Sequence, residues 1–220
     1  MIRVILCDDH ALIRRGIRDT LSDAADIEVV GEAGDYGELR ALMRTLASGR
    51  EEGSAPADVL LLDIHLPGRS GLDVMHTLKD EGNPIKVLVV SMYPEDQYAM
   101  RALRAGAFGY VNKGGDPQLL VQAVRTVAQG RKYVTPEIAQ MLVESLTAPV
   151  NESPHERLSD RELQTLTMIA SGKRLSDIAE ELKLSPKTVS VYRARVLEKL
   201  GLANNSELTV YAIRNGLVGD

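Results

Sequence analysis

The chain has no tryptophan and a single cysteine, and aromatic residues make up only 4% of its 220 positions. One cysteine excludes an internal disulfide, and Cys7 lies in an apolar run, where a lone thiol is usually a small core residue. No apolar run is long enough to cross a bilayer. The N-terminus reaches the charged pair Asp8-Asp9 too early for a signal peptide, so we expect a cytoplasmic protein.

The composition, with 44% hydrophobic and 26% charged residues, is typical of a globular protein. The formal net charge of -5 argues only weakly against nucleic-acid binding, because it averages over the whole chain. Residues 155–220 carry ten Lys and Arg against nine Asp and Glu. The acidic excess therefore belongs to the N-terminal part.

Apolar runs alternate with amphipathic stretches in that N-terminal part, at residues 2–7, 27–30, 59–62, 87–90 and 109–111. Near-continuous Val, Ile and Leu in such runs indicates a parallel sheet with helices on both faces. We therefore predict an α/β domain with a doubly wound, five-stranded parallel sheet over residues 1–130. Its last helix begins at Asp116-Pro117, an N-cap followed by a proline at the first helical position.

The pattern changes after residue 130. Residues 131–157 include a polar, proline-bearing stretch and are predicted to be a linker, with a short helix over 130–146. Every later periodic segment is helical, over 160–171, 175–182, 186–200 and 206–215. Residues 158–220 are therefore predicted to form a second, smaller, all-α domain.

Polar side chains follow the predicted strands: Asp8 and Asp9 after the first, Asp63 after the third, Ser91 at the fourth and Lys113 after the fifth. Ligands of an open parallel sheet bind at the carboxyl ends of its strands, so we expect these residues to converge. Converging carboxylates repel one another unless a cation sits among them. Mg²⁺ suits a site of few carboxylates, waters and a phosphoryl group.

The chemistry that this set favours is phosphoryl transfer, with Asp63 as the nucleophile that forms an acyl phosphate. We expect Asp9 and Asp63 to hold the Mg²⁺, with Asp8 acting through water. Lys113 and the Ser91 hydroxyl are expected to bind the remaining phosphoryl oxygens. The chain supplies no leaving group of its own, so it needs a phosphodonor.

Two of the later helices are joined by the short turn Lys183-Leu184, and Ser185-Pro186 caps the second of them. This arrangement suggests a helix-turn-helix, whose second helix enters the major groove of DNA. The outer face of that helix combines small residues, which permit close approach, with basic residues that meet phosphates or guanine edges. Its members are Lys187, Ser190, Val191, Ala194 and Arg195. On composition alone, a basic amphipathic helix is more often a solvated face.

The ordered features of the first domain resemble the signature of response-regulator receiver domains, which have a flavodoxin-like fold. They are Asp8-Asp9, Asp63 followed by Leu66-Pro67 and Gly71, Ser91, and Tyr110 three residues before Lys113. The resemblance covers residues 1–130 and implies phosphorylation of Asp63. It also implies that Tyr110 turns inward when Ser91 moves toward the phosphoryl group, although Tyr110 alone could equally be an ordinary core aromatic.

His65 and two departures from this pattern bear on the pocket. His65 is expected at its rim, offering a hard Mg²⁺ its backbone carbonyl and not its imidazole. Many receivers have a proline after the lysine, where this chain has Gly114-Gly115. Bulky Met92 stands where a small residue is common. These departures bear on the lysine loop and on the lifetime of the acyl phosphate.

About sixty residues of the second domain resemble the NarL/FixJ-type, or LuxR-type, DNA-binding domain. The matching motifs are Leu158-Ser159-Asp160-Arg161-Glu162, Ile169-Ala170-Ser171-Gly172, Asp177-Ile178-Ala179, Leu184-Ser185-Pro186-Lys187-Thr188-Val189 and Lys199-Leu200-Gly201. The resemblance implies DNA contacts from Lys187, Thr188, Ser190, Val191, Tyr192, Ala194 and Arg195. It makes the last helix a candidate dimer surface, although Leu208, Tyr211 and Ala212 could equally belong to the domain core.

Together the two resemblances imply a transcriptional response regulator of a two-component phosphorelay. Its expected partners are a sensor histidine kinase, double-stranded DNA with an inverted repeat, and a second copy of the chain when active, with no membrane. It is expected not to be an enzyme beyond self-phosphorylation from a phosphodonor and slow autodephosphorylation. One alternative is a phosphorylation-independent regulator of the same architecture. An autoinducer-binding regulator would lack the acid pocket. An aspartyl-phosphate phosphatase would need a second acid two residues after Asp63, where this chain has His65.

Overall fold

The computed structural model describes residues 1–48, 55–93, 95–147 and 153–218. The chain divides into two units, Met1–Thr147 and Ala148–Asp220. Within the described ranges, no helix is both long and apolar enough to span a membrane.

A five-stranded parallel sheet forms the centre of the first unit. Its strands are β1 (Ile2–Cys7), β2 (Ile27–Ala33), β3 (Val59–Leu62), β4 (Lys86–Ser91) and β5 (Gly109–Asn112), in the spatial order β2-β1-β3-β4-β5. All four neighbouring pairs are parallel. The predicted doubly wound sheet is confirmed, and the order reverses beside β1, where such folds open a crevice at the carboxyl ends of the strands.

Helices alternate with these strands: α1 (Ala11–Ser22), α2 (Tyr36–Ala47), α3 (Gly71–Asp80), α4 (Glu95–Ala105) and α5 (Pro117–Ala128). Asp116 caps α5, because its side chain accepts a hydrogen bond of 2.8 Å from the Gln118 N–H. Fully buried side chains of the sheet, such as Val4 and Leu88, pack against fully buried side chains of α1 and α5, such as Leu21 and Val124. Burial of both sheet faces explains why the strands read as continuous apolar runs.

The first unit continues beyond residue 130, where the sequence predicts its end. The Tyr133 N–H donates to the Phe108 carbonyl at 2.8 Å, and Tyr133 forms a bridge with Gly109 of β5. Helix α6 (Pro136–Thr147) then packs against α4, and its Ile138 side chain has no exposed surface. Most of the predicted linker 131–157 thus has regular structure, while its residues 148–152 lie outside the described part of the chain.

The second unit is all-helical, with a 3-10 helix (Pro154–Arg157) followed by α7 (Asp160–Ala170), α8 (Leu175–Glu181), α9 (Pro186–Leu200) and α10 (Asn205–Arg214). Helix α7 packs on α9 and α10, and α8 packs on α9. Ser159, Ser185 and Asn204 accept hydrogen bonds from backbone N–H groups of the first turns of α7, α9 and α10. These caps occur where the sequence predicts helix starts, and the small all-α domain is confirmed.

Candidate functional site

The carboxyl ends of β1, β3 and β5 bring two acids and one lysine into direct contact. The Lys113 ammonium lies 2.6 Å from Asp8 Oδ2 and 2.7 Å from Asp63 Oδ2. All three side chains are at most 5% exposed. The structure therefore brings together residues that are 50 or more positions apart along the chain.

One ammonium between two carboxylates leaves this buried cluster with an excess of negative charge. Burial raises the pKa of Asp63 to about 6; Lys113 opposes that rise, and the neighbouring Asp8 adds to it. The desolvation penalty on the Asp63 carboxylate thus exceeds the attraction that Lys113 supplies. Asp63 is consequently more basic than an exposed aspartate.

Asp9 and His10 extend the cluster toward solvent. His10 Nδ1 lies 2.6 Å from Asp9 Oδ1, and the His10 N–H donates to Asp8 Oδ1 at 2.8 Å. One ligand atom each from Asp8, Asp9, His10 and Asp63 falls within 4.8 Å of the others. Three carboxylates in such a group are consistent with Mg²⁺ binding, because hard divalent cations prefer oxygen ligands.

Ser91 is the last residue of β4 and Tyr110 lies within β5, and neither side chain is exposed. The Ser91 hydroxyl accepts from the Tyr93 N–H at 3.3 Å, and the Tyr110 hydroxyl donates to the Tyr93 carbonyl at 2.8 Å. Tyr110 is therefore a core residue that also holds the loop after β4. The backbone of Tyr93 connects it to Ser91.

The loop that carries Lys113 is shaped by Asn112, which the sequence reasoning missed. The Asn112 side chain accepts from the Gly114 N–H at 2.7 Å and donates to the Tyr93 carbonyl at 3.2 Å. An Asn that binds the backbone two residues ahead forms an Asx turn, for which the Asn-x-Gly spacing is a usable sequence signal. This turn places Lys113 in the pocket without the proline that many receivers have.

The segment after β3 packs tightly around Asp63. A Cβ added to Gly71 would lie 2.1 Å from the Asp63 carbonyl oxygen, so this position admits only glycine. The His65 N–H donates to Asp63 Oδ1 at 3.2 Å, and its ring stacks on Tyr93 with 4.5 Å between centroids. His65 and Tyr93 thus form one wall at the pocket rim, beside Met92, which is 60% exposed.

Helix α9 of the second unit presents the predicted DNA-contacting side chains. Val189 and Val196 are fully buried against the domain core. Thr188 and Tyr192 are partly buried, and Thr188 lies 2.7 Å from the Ser185 hydroxyl at the helix start. The exposed residues are Lys187, Ser190, Val191, Ala194 and Arg195. The predicted exposed face is therefore continuous along about two and a half turns of the helix.

The apolar residues of α10 were predicted to form either a dimer surface or part of the domain core. Leu208 and Ala212 have no exposed surface, so they belong to the core of the domain. The Tyr211 hydroxyl lies 3.0 Å from His155 Nδ1, which ties α10 to the 3-10 helix. Val210 and Ile213, which are 46% and 45% exposed, form the available apolar face of this helix.

A known protein family matches each of the two units of the chain. The response regulator receiver domain family matches residues 4–125. The family of bacterial regulatory proteins, luxR family, matches residues 156–212. The chain is a response regulator of the LuxR-type, or NarL/FixJ, family. The family and the two-domain function class predicted from the sequence are thereby confirmed.

Relatives of this response regulator match along nearly the whole chain. GacA of Pseudomonas viridiflava is 42% identical over 219 residues, covering 99% of this chain and 98% of GacA. UvrY of Escherichia coli is 40% identical over 218 residues, covering 99% and 96%. RcsB from Salmonella enterica serovar Typhimurium, solved bound to promoter rprA with the phosphomimetic BeF3-, is 27% identical. Its TM-score is 0.62 over 96% of this chain and 97% of RcsB.

Proposed function

We propose that this response regulator accepts a phosphoryl group on Asp63 from a sensor histidine kinase and binds DNA more tightly as a result. The observation that carries the proposal is the buried contact of Lys113 with Asp8 and Asp63, with Asp9 beside them. Such a pocket matches an anionic, metal-bound phosphoryl group in charge and ligand type. The cytoplasmic location remains a prediction from the sequence.

Asp63 is the nucleophile in this proposal. With a pKa of about 6 it is mostly ionised near neutral pH, and it is a stronger nucleophile than an exposed aspartate. One carboxylate oxygen forms a bond to phosphorus, and the bond from phosphorus to the donor breaks, with its electron pair leaving on the donor. Lys113 and the Ser91 hydroxyl then hold oxygens of the transferred group.

The carboxylates of Asp8, Asp9 and Asp63 would hold Mg²⁺, and the backbone carbonyl of His65 is the further ligand predicted from the sequence. Mg²⁺ bound there would neutralise charge on the phosphoryl oxygens. The chain supplies no donor or leaving group, so its own chemistry is limited to self-phosphorylation and slow autodephosphorylation. We therefore propose that it is a switch and not a turnover enzyme.

The exposed face of α9 is the proposed DNA-reading surface. Lys187 and Arg195 supply positive charge for phosphates, while Ser190, Val191 and Ala194 are small enough for approach to base edges. RcsB, which matches 96% of this chain, was solved bound to a promoter. One such domain contacts few base pairs, so we propose that a homodimer binds an inverted repeat.

The connection between Ser91 and Tyr110 suggests how phosphorylation is transmitted. If the Ser91 hydroxyl turns to a phosphoryl oxygen, it no longer accepts the Tyr93 N–H. The Tyr110 hydroxyl and the Asn112 amide still donate to the Tyr93 carbonyl, so the loop after β4 stays connected to β5. We propose that this rearrangement shifts the receiver toward the dimerising form.

The phosphoacceptor is tested by incubating the full chain with acetyl phosphate and Mg²⁺ and measuring its intact mass. We expect a single phosphoryl adduct that is absent from Asp63→Asn and from samples with excess EDTA. Asp80→Asn, at an exposed position on α3, is the matched control and should be modified like the wild type. An adduct that persists in Asp63→Asn would contradict the assignment.

DNA binding is tested on the same samples by footprinting and sedimentation. Phosphorylation should raise both DNA affinity and the dimer fraction. Lys187→Ala should weaken binding to all sequences and reduce its salt dependence, because Lys187 is proposed to meet phosphate. Equal DNA affinity and oligomeric state with and without phosphorylation would instead support a phosphorylation-independent regulator.

A further inference from the structure

We propose that Arg14, on α1, is a positioning residue for the acid pocket. Its Nη1 donates to the backbone carbonyl of Asp8 at 2.5 Å, and its Nε donates to Glu32 Oε2 at 3.0 Å. The side chain is 21% exposed, so it is only partly solvated. This role deepens the proposed function, because it rests on the Mg²⁺ site formed by Asp8, Asp9 and Asp63.

The Asp8 carbonyl that Arg14 binds belongs to the backbone that orients the Asp8 and Asp9 side chains. The peptide between Asp8 and Asp9 is planar, so fixing the Asp8 oxygen also fixes the N–H and Cα of Asp9. The Asp8 N–H donates to the Ala33 carbonyl of β2 at 3.0 Å. Its carboxylate accepts from the His10 N–H at 2.8 Å. Arg14 supplies a third hydrogen bond to Asp8, at the backbone carbonyl that is bonded to the nitrogen of Asp9.

Glu32 on β2 orients Arg14 in turn. Its Oε2 accepts from Arg14, and its Oε1 accepts from Arg18 Nη1 at 2.9 Å. Arg18 therefore shares the same carboxylate, and its Nε also lies 3.5 Å from Asp19 Oδ1. Among the described residues, Arg14 is thus the member of this cluster that joins the β2 edge to the backbone of the acid pair.

An arginine is suited to this task because its planar guanidinium presents several N–H donors in a rigid fork. One group can bind the Asp8 carbonyl and the Glu32 carboxylate at the same time. A lysine keeps the positive charge, but its single ammonium lacks this geometry. The two substitutions therefore separate the effect of charge from the effect of position.

The test measures Mg²⁺ affinity by isothermal titration calorimetry on the full unphosphorylated chain. We expect Arg14→Ala to raise the Mg²⁺ dissociation constant about tenfold, as loss of an outer partner does at other metal sites. Arg14→Lys should also weaken binding, but less. Arg18→Ala, the matched control, should bind Mg²⁺ like the wild type. The melting temperature of each variant in EDTA checks that the fold is intact.

Several outcomes would overturn the positioning role. They are wild-type affinity in Arg14→Ala, wild-type affinity in Arg14→Lys, or an equal loss in Arg18→Ala. Wild-type affinity in Arg14→Lys would show that a positive charge at this position is enough for Mg²⁺ binding. An equal loss in Arg18→Ala would show that the ion pairs with Glu32 act only by joining α1 to β2. If the wild type itself bound no Mg²⁺, the proposed function and this inference would both fail. If Arg14→Ala does not fold, Arg14→Lys against Arg18→Ala decides the question.

Discussion

Replacing Asp63 with asparagine is expected to abolish phosphorylation and yet stabilise the first unit. Burial raises the pKa of Asp63 from 3.8 to about 6. An acid whose pKa is higher in the folded state favours folding in its protonated form. The stability that it contributes is full below pH 3.8 and is lost as the pH rises toward about 6. At neutral pH, the ionised carboxylate therefore opposes folding.

The size of this effect follows from the shift. The difference between a pKa of 3.8 and one of about 6 corresponds to about 3 kcal/mol, which we take as an upper figure. Asparagine carries no charge at any pH, and it leaves Lys113 paired with Asp8 at 2.6 Å. For a unit of this size we expect the melting temperature to rise by about 5–10 °C at neutral pH.

The assay is thermal unfolding of the full chain in EDTA from about pH 5 to about pH 8, with hydrogen exchange assigning the change to the first unit. The advantage of Asp63→Asn over the wild type should grow as the pH rises through the titration of Asp63. Mg²⁺ should raise the melting temperature of the wild type more than that of Asp63→Asn. The exposed Asp80→Asn should change little.

Two results would refute this reasoning. If Asp63→Asn were as stable as the wild type, or less stable, at neutral pH without Mg²⁺, the attraction of Lys113 would outweigh the burial of Asp63. A stability difference that does not depend on pH would also contradict it, because a charge effect must follow the ionisation of Asp63.

Four further substitutions test the packing, the backbone strain and an ion pair of the two units. Gly71→Ala puts a Cβ 2.1 Å from a backbone oxygen and should destabilise the first unit by about 3 kcal/mol in urea denaturation. Gly16→Ala, with no atom within 4 Å, should instead stabilise by up to about 1 kcal/mol; equal effects would show that the close approach does not matter. Lys183 has a φ of 51°, a left-handed conformation that glycine adopts freely, so Lys183→Gly should stabilise the second unit by about 1 kcal/mol, and a loss of stability would contradict this. Burial raises the pKa of Glu162, but hydrogen bonds from Lys199 and the backbone outweigh it and lower that pKa overall, so stability should fall as the pH drops below 4.5. Glu162→Gln should cost about 1–2 kcal/mol at neutral pH and weaken this acid dependence, and acid unfolding curves of identical shape would count against the ion pair.

Much of the architecture was predictable because local signals agreed with the tertiary fold. Strands buried on both faces must be apolar throughout, so the sheet is visible in the sequence. The capped helix starts at Asp116, Ser159 and Ser185 follow from the four backbone N–H groups that every helix start leaves free. The convergence of Asp8 and Asp63 followed from strand ends in a parallel sheet.

Other features had no local signal. Arg14 and the amide nitrogen of Asn112 each donate to a backbone carbonyl, and nothing in their residue types indicates which carbonyl they bind. His10 was overlooked beside the acids it joins. The first unit extends to Thr147 because α6 packs on α4, which an amphipathic pattern alone cannot distinguish from a helix in a linker.

The sequence by itself determined the element order, the two-domain division, the acids at the strand ends and the exposed face of α9, because each depends on periodicity or on neighbouring residues. Only the tertiary structure decided that Asp63 is buried beside Asp8, and hence that it is unusually basic even though Lys113 lies 2.7 Å away. It also decided that Leu208 faces the core while Val210 remains available. Burial and distance between residues far apart in the chain control both outcomes, and these exist only once the chain is folded.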